Sequence, residues 1–292
     1  MKKRLNLLIL LAVSCTLTSF QPPAEWRSLF DGSLKGWETY LSYRHTTSYN
    51  GKVPVDEEGK PLPPIGYNKD EANVFSVVQQ DGAPVLRISG EIYGCVFTKA
   101  DFKNYHLKLR MKWGNKKWAP RLHEPMDSGI LYHSQGECGV DYFRSWMLSQ
   151  EFQVIEQSHG DYWCIANSQI SIRAAKPAGK DTLVYNRHAP EVRMGSVKDG
   201  NNGFCQASGN FERPMDQWND LELICFEDKS LHIVNGQVVM ALSKSSYRDG
   251  DLSKPLVSGK IQLQSEAAEV FYKDIQIKNI DGIPAAYSSY FQ

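Results

Sequence analysis

An excess of either charge is missing from this chain: 33 Lys and Arg balance 33 Asp and Glu among 292 residues. Without a net field, nothing draws the protein toward nucleic acid or an anionic membrane surface. A neutral or weakly polar ligand suits that balance. The Gly-rich phosphate loop, the dinucleotide fingerprint and the Gly-x-Ser-x-Gly elbow are all absent, so kinase, nicotinamide-enzyme and serine-hydrolase readings lack their basic parts. No two cysteines stand at CxxC or CxxxxC spacing, and no HxH or HExxH occurs, which leaves a thiolate zinc site or a zincin helix unsupported. The one long apolar run, Leu5 to Val13, is too short to span a bilayer.

That run follows Lys2, Lys3 and Arg4 and ends at Leu11-Ala12-Val13-Ser14-Cys15. A basic start, a short apolar stretch and a terminal cysteine form an export signal with a lipobox, Cys15 being the lipidated residue. The expectation is an exported lipoprotein, periplasmic or anchored at the outer membrane, touching membrane only through its lipid. Residues 1–23 then serve as signal and tether, and 24–292 form one domain. Export permits disulfides, but Cys95, Cys138, Cys164, Cys205 and Cys225 are odd in number. Cys138 and Cys164 flank the most chemically interesting segment and are the pair placed to staple it.

The remainder alternates short β-like runs with turns and contains no long amphipathic helix. In Tyr105–Trp113 apolar side chains take the odd positions and basic or polar ones the even, the period of a half-buried strand. Leu221–Phe226, Leu231–Val234 and Gln237–Leu242 read as a meander, turned at Asn235-Gly236. Lys260–Gln264 and Val270–Ile280 add two strands. Many short strands without helices predict an all-β sandwich or jelly roll. Residues 43–73 and 174–216 read as long surface loops.

Chemistry concentrates in Gln150-Glu151-Phe152-Gln153-Val154-Ile155-Glu156. Phe152 and Val154 point one way, Glu151 and Gln153 the other. A β-bulge would bring Glu156 into phase with Glu151, and two carboxylates about 5 Å apart suit retaining glycoside cleavage. Two solvated glutamates on an exposed face fit the spacing equally well. In Asp127-Ser128-Gly129-Ile130-Leu131-Tyr132-His133, Asp127 and His133 share parity, so His133 is a candidate base. Trp163 is a candidate sugar-stacking platform. Arg110, Arg121 and Arg173 are candidate clamps for a ketone or oxyanion.

A resemblance enters with the ordered elements Ser28-Leu29-Phe30-Asp31-Gly32, Leu34-Lys35-Gly36-Trp37, Asp127-Ser128-Gly129-Ile130, Glu151-Phe152-Gln153-Val154, Trp218-Asn219, Gly259–Gln264 and Val270–Ile277. Together they resemble the 3-keto-disaccharide hydrolase domain family, whose fold is concanavalin A-like. One departure is Gln264-Ser265-Glu266, where the family often has Gln-x-His-Gly; a role of that histidine is absent or passes to Glu266. The chain is also similar to laminarinase-type glucanases, whose strand reads Glu-x-Asp-x-x-Glu, but Gln153 stands at the middle Asp.

The resemblance implies a small oligosaccharide or glycoside substrate bearing a C3 ketone. Such a ketone acidifies the C2 proton, and the enolate expels the glycosidic oxygen. Glu151 or His133 is then the base and Glu156 the acid, with Asp127, Gln153 and Trp163 as further substrate-binding residues. Arg110, Arg121 or a divalent cation would stabilise the enolate; no other cofactor is implied. Three alternatives stay open: a hydratase of the resulting 2-hydroxyglycal, a conventional β-glucan hydrolase and a non-catalytic glycan-binding lipoprotein.

Overall fold

The computed structural model describes residues 25–140 and 145–292. The basic leader and Cys15 lie outside the described residues. Within them, no helix is long and apolar enough to cross a membrane.

Two antiparallel sheets face each other, one of twelve strands and one of eight. The expected Tyr105 strand runs Tyr105–Lys117 and sits mid-sheet in the larger layer, between Asn219–Phe226 and Ala268–Asn279. Its odd positions Leu107, Leu109, Met111 and Trp113 enter the inter-sheet core. The meander is Asn219–Phe226, Lys229–Val234 and Gln237–Asp249, and both Asn235 and Gly236 have positive φ at its turn. The sequence pattern therefore located these strands but ended two of them early, at Trp113 rather than Lys117 and at Leu242 rather than Asp249. It missed the short strands Val184–Tyr185, Glu191–Met194 and Phe204–Cys205, which lie inside the expected 174–216 loop and contribute edge strands to the two sheets.

The smaller sheet runs Phe204–Cys205, Tyr162–Ile165, Leu148–Ile155, Asp127–Gln135, Lys260–Ser265, Gly94–Thr98, Trp37–Leu41 and Gly66–Tyr67. Its central strands are buried on both faces; eight of the nine residues of Asp127–Gln135 are inaccessible. The inner face supplies Ile130, Tyr132, Phe152 and Val154 to the main core. Part of the outer face is covered by a second apolar cluster, including Tyr93, Phe97, Leu131, Trp146 and Met147. Covered on both sides, the outer face can hold polar groups away from bulk water. The site lies on that face.

The expected Cys138–Cys164 staple is not formed. Cys164 Sγ donates to the Ser168 carbonyl at 3.0 Å, whereas Cys138 Sγ lies 3.8 Å from that of Cys95.

Candidate active site

The outer face can be built from strand register. Gly129 pairs with Gln153, and Leu131 pairs with Glu151, which pairs in turn with Trp163. Gln264 neighbours this row from the other side, since Leu263 pairs with Ile130. Asp127 pairs with Ile155 and bridges to Glu266 just past the Lys260–Ser265 strand. Side chains alternate across a strand, so Asp127, Glu151, Gln153 and Gln264 share one face. With Arg121, Asp161, Trp163, Phe204 and Glu266 they line a cavity of about 200 Å³.

Gly129 makes room in this floor. A Cβ there would stand 2.4 Å from both Glu151 Oε1 and Gln264 Oε1. Those two acceptors lean over the glycine, are buried, and have no hydrogen-bond partner. Buried polar atoms are normally satisfied. Two orphaned acceptors lining a cavity suit a ligand with hydroxyl donors.

Arg121 closes one end. It sits on a turn after the Tyr105–Lys117 strand, where its N–H donates to the Trp118 carbonyl. Its Nη1 is 2.7 Å from Asp127 Oδ2 and 3.2 Å from Glu266 Oε1, and its Nε is 3.2 Å from exposed Glu124. Gln153 Nε2 donates to the other oxygen of Asp127 at 2.5 Å. Asp127 is thereby fixed from two directions.

One guanidinium faces three buried carboxyls, too few positive charges to keep all of them ionised. Burial pushes Glu151 well above the usual carboxylate range, and Glu266 and Asp127 add repulsion; Gln264 and Arg121 oppose. Asp127 is raised well above its ordinary value by burial and by Glu266, against the pull of Arg121. Burial lifts Glu266 to about 7, the Arg121 contact restraining it. Arg121 resists its own burial because these carboxylates hold its proton. Across the floor, burial raises Asp161 to about 6, although Ala207 N–H and the Ser158 hydroxyl both donate to its Oδ1. Trp163 tilts against Phe204, with centroids 4.8 Å apart, and the two form an aromatic wall beside Glu151.

Of the residues expected from sequence, Glu151, Asp127, Gln153, Arg121 and Trp163 come together; Glu156, His133 and Arg110 do not. The pairing register from Asp127↔Ile155 to Tyr132↔Gln150 is unbroken, so no bulge rotates Glu156 into phase. Its carboxylate instead accepts the Met126 N–H at 3.2 Å. A bulge does occur between Tyr132 and Gln135, where His133 adopts φ 55°. That conformation breaks the parity with Asp127 and turns the ring inward against Tyr105 and Tyr132, both core residues. Burial there drives His133 down to about 4. Arg110 alternates with Leu109 and Met111 and so projects from the opposite face of the larger sheet, pairing with Asp220 and Asp274. Arg173 also belongs to that sheet and donates to the Ala189 carbonyl. Glu266 and Gln264, noted in the sequence only as a departure, are central, and Asp161 joins them. The signal for Glu266 was a charged residue at the end of an otherwise apolar and amide-rich strand. Among the described residues, no group of three or more His, Cys, Asp or Glu is arranged to hold a metal ion.

The fold is a nearly all-β sandwich of two antiparallel sheets, with an acidic, aromatic-walled cavity on one outer face. The chain belongs to the 3-keto-alpha-glucoside-1,2-lyase-like domain family, which matches residues 25–278. This places it in a carbohydrate-active enzyme family. No curated protein matches it. Among solved structures it is similar to a candidate glycosyl hydrolase from Parabacteroides distasonis ATCC 8503, with 16% identity, 88% of this chain and 94% of that one covered, and a TM-score of 0.46. It is also similar to LamAcat from Zobellia galactanivorans (12% identity, 83% and 90% covered, TM-score 0.41) and to a Bacillus licheniformis beta-glucanase (9%, 88% and 98%, 0.40). At such identities the likeness is one of fold alone.

Proposed function

We propose that the protein cleaves the glycosidic bond of 3-keto-glycosides by removing the C2 proton and eliminating the C1 oxygen. The observation that carries this reading is the clamped carboxyl cluster: Asp127, Glu151 and Glu266 around the single Arg121, in a cavity with two unpaired acceptors. Membership of the 3-keto-alpha-glucoside-1,2-lyase-like domain family supports a keto-sugar substrate.

Elimination from a C3 ketone needs a base near neutrality, an acid for the departing oxygen and a group that holds negative charge on the ketone oxygen. Glu266, lifted to about 7, is poised to exchange a proton at neutral pH and serves as the base. The electron pair of the C2–H bond forms an enolate across C2 and C3. As the enolate collapses, C1=C2 forms, the C1–O bond breaks, and the departing oxygen takes a proton from Glu151, whose protonated form burial favours. Arg121 stabilises the oxyanion and Trp163 with Phe204 packs on the sugar's C–H face. Addition of water to the resulting enone gives net hydrolysis.

The conventional glucanase reading depended on Glu151 and Glu156 sharing a face, and the strand register separates them. To test the proposal, p-nitrophenyl 3-keto-β-glucoside and its unoxidised parent are incubated with the protein, with and without EDTA. Release from the keto compound alone, above spontaneous breakdown, is expected, together with a large loss in Glu151→Gln and Glu266→Gln. Release from the parent, or full activity in both variants, overturns it. Loss in EDTA would add a divalent cation to the machinery.

A further inference from the structure

We propose that Cys95 and Cys138 form a disulfide that ties the residues just after the Asp127–Gln135 strand to the Gly94–Thr98 strand of the smaller sheet. Cys95 lies within the Gly94–Thr98 strand and is wholly buried; Cys138, three residues past the Asp127–Gln135 strand, is also buried. Their sulfurs are 3.8 Å apart, so a bond of ~2.0 Å requires about 1.8 Å of closure. Both belong to the apolar cluster of Tyr93, Leu131, Trp146 and Met147.

The remaining cysteines have other surroundings. Cys164 donates to Ser168, Cys205 is buried in a separate cluster, and Cys225 lies in the main core. The position of Cys138 is set independently of its sulfur, because its N–H donates to the Tyr67 hydroxyl at 2.6 Å while that hydroxyl donates to Glu137. Trp146 donates from its indole to the Gly94 carbonyl, beside Cys95. Cys138 and Trp146 are thus each fixed beside the smaller sheet, Trp146 against the strand that carries the partner thiol.

Oxidation proceeds by exchange with a small-molecule or protein disulfide. The Cys138 thiol loses its proton, attacks one sulfur of that disulfide and releases the other as a thiol. The Cys95 thiolate then attacks the Cys138 sulfur, forming the protein disulfide and releasing the second thiol. The protein loses two hydrogens and the oxidant gains them. Because both sulfurs are buried, exchange occurs during folding. The cross-link would join residues 43 apart in sequence and enclose the stretch bearing Arg121 and Asp127. It therefore restricts the unfolded chain most where the site is assembled.

The test uses the full chain, folded in a buffer of oxidised and reduced glutathione, with free thiols alkylated in denaturant and peptides mapped without reduction. A Cys95–Cys138 peptide is expected, with an intact mass lower by about 2 Da. The oxidised protein should melt above its reduced form, a difference missing from the Cys95→Ser/Cys138→Ser double variant. Alkylation of both thiols under oxidising conditions, or a Cys138–Cys164 peptide, overturns the proposal. The wild-type map decides the matter alone should the double variant fail to fold.

Discussion

Replacing Arg121 by Gln should destabilise the protein, and by more at alkaline than at acidic pH. Arg121 is the cation facing buried Asp127 and Glu266, at 2.7 and 3.2 Å, with its side chain only 16% exposed. Removing one member of a buried ion pair typically costs about 3–5 kcal/mol, because the remaining charge is left without compensation. A carboxyl can escape that penalty by taking up a proton. Without Arg121, both Asp127 and Glu266 rise further above their unfolded values. An acid whose folded pKa is raised contributes stability below its unfolded pKa and loses it as pH rises through the folded pKa. The variant's deficit should therefore grow from roughly 1–2 kcal/mol at pH 5 toward 3–5 at pH 8, the slope being about 1.4 kcal/mol per pH unit for each proton retained. His45, His133, His159 and His232, all held near 4 by burial, add stability of the opposite slope between about 4 and 6.5. They act equally in both proteins and cancel in the difference. Urea unfolding at pH 5, 6.5 and 8, followed by tryptophan fluorescence, measures it. A deficit that is the same at all three pH values would refute the claim that the carboxyls answer to Arg121.

Proton loss from Glu266 as pH rises through about 7 should cost the wild type stability that Glu266→Gln does not lose, so the wild-type-minus-variant difference in unfolding free energy, in which the histidines cancel, should fall between pH 6.5 and 8 in urea titrations. Gly129→Ala places a methyl against Glu151 and Gln264, so kcat/KM on the keto-glycoside should drop at least tenfold, with a stability cost of about 1–3 kcal/mol. His133→Ala should lower the melting temperature while leaving kcat of the folded protein within about twofold, the ring being a core element; a thousandfold loss would return His133 to the chemistry. Trp163→Ala should raise KM more than it lowers kcat, read from saturation curves, if its ring serves as a stacking wall.

Periodicity and turn chemistry were enough for the architecture. Alternation in Tyr105–Trp113 and the Asn235-Gly236 turn are local properties, set by how side chains alternate on a pleated strand and by which residues accept positive φ. The same alternation put Glu151 and Gln153 opposite Phe152 and Val154, and the ordered elements from Phe30-Asp31-Gly32 to the closing strand identified the family over residues 25–278. Parity can be read from sequence only while the register holds. It failed at His133, where a bulge and a φ of 55° turn the ring inward, and at Glu156, where the expected bulge does not form. No local pattern marks a bulge of this kind, because pairing with the neighbouring strand decides it.

The site's electrostatics were likewise invisible along the chain. Arg121, Asp127, Glu151 and Glu266 come from separate segments, and only sheet order brings one cation to three carboxyls. Their raised pKa values follow from burial on a face that sequence alternation alone would have assigned to solvent. Alternation, turn positions and family are properties written along the chain. Tertiary structure decided which carboxyls meet, because charge compensation depends on distance and burial rather than on spacing along the chain.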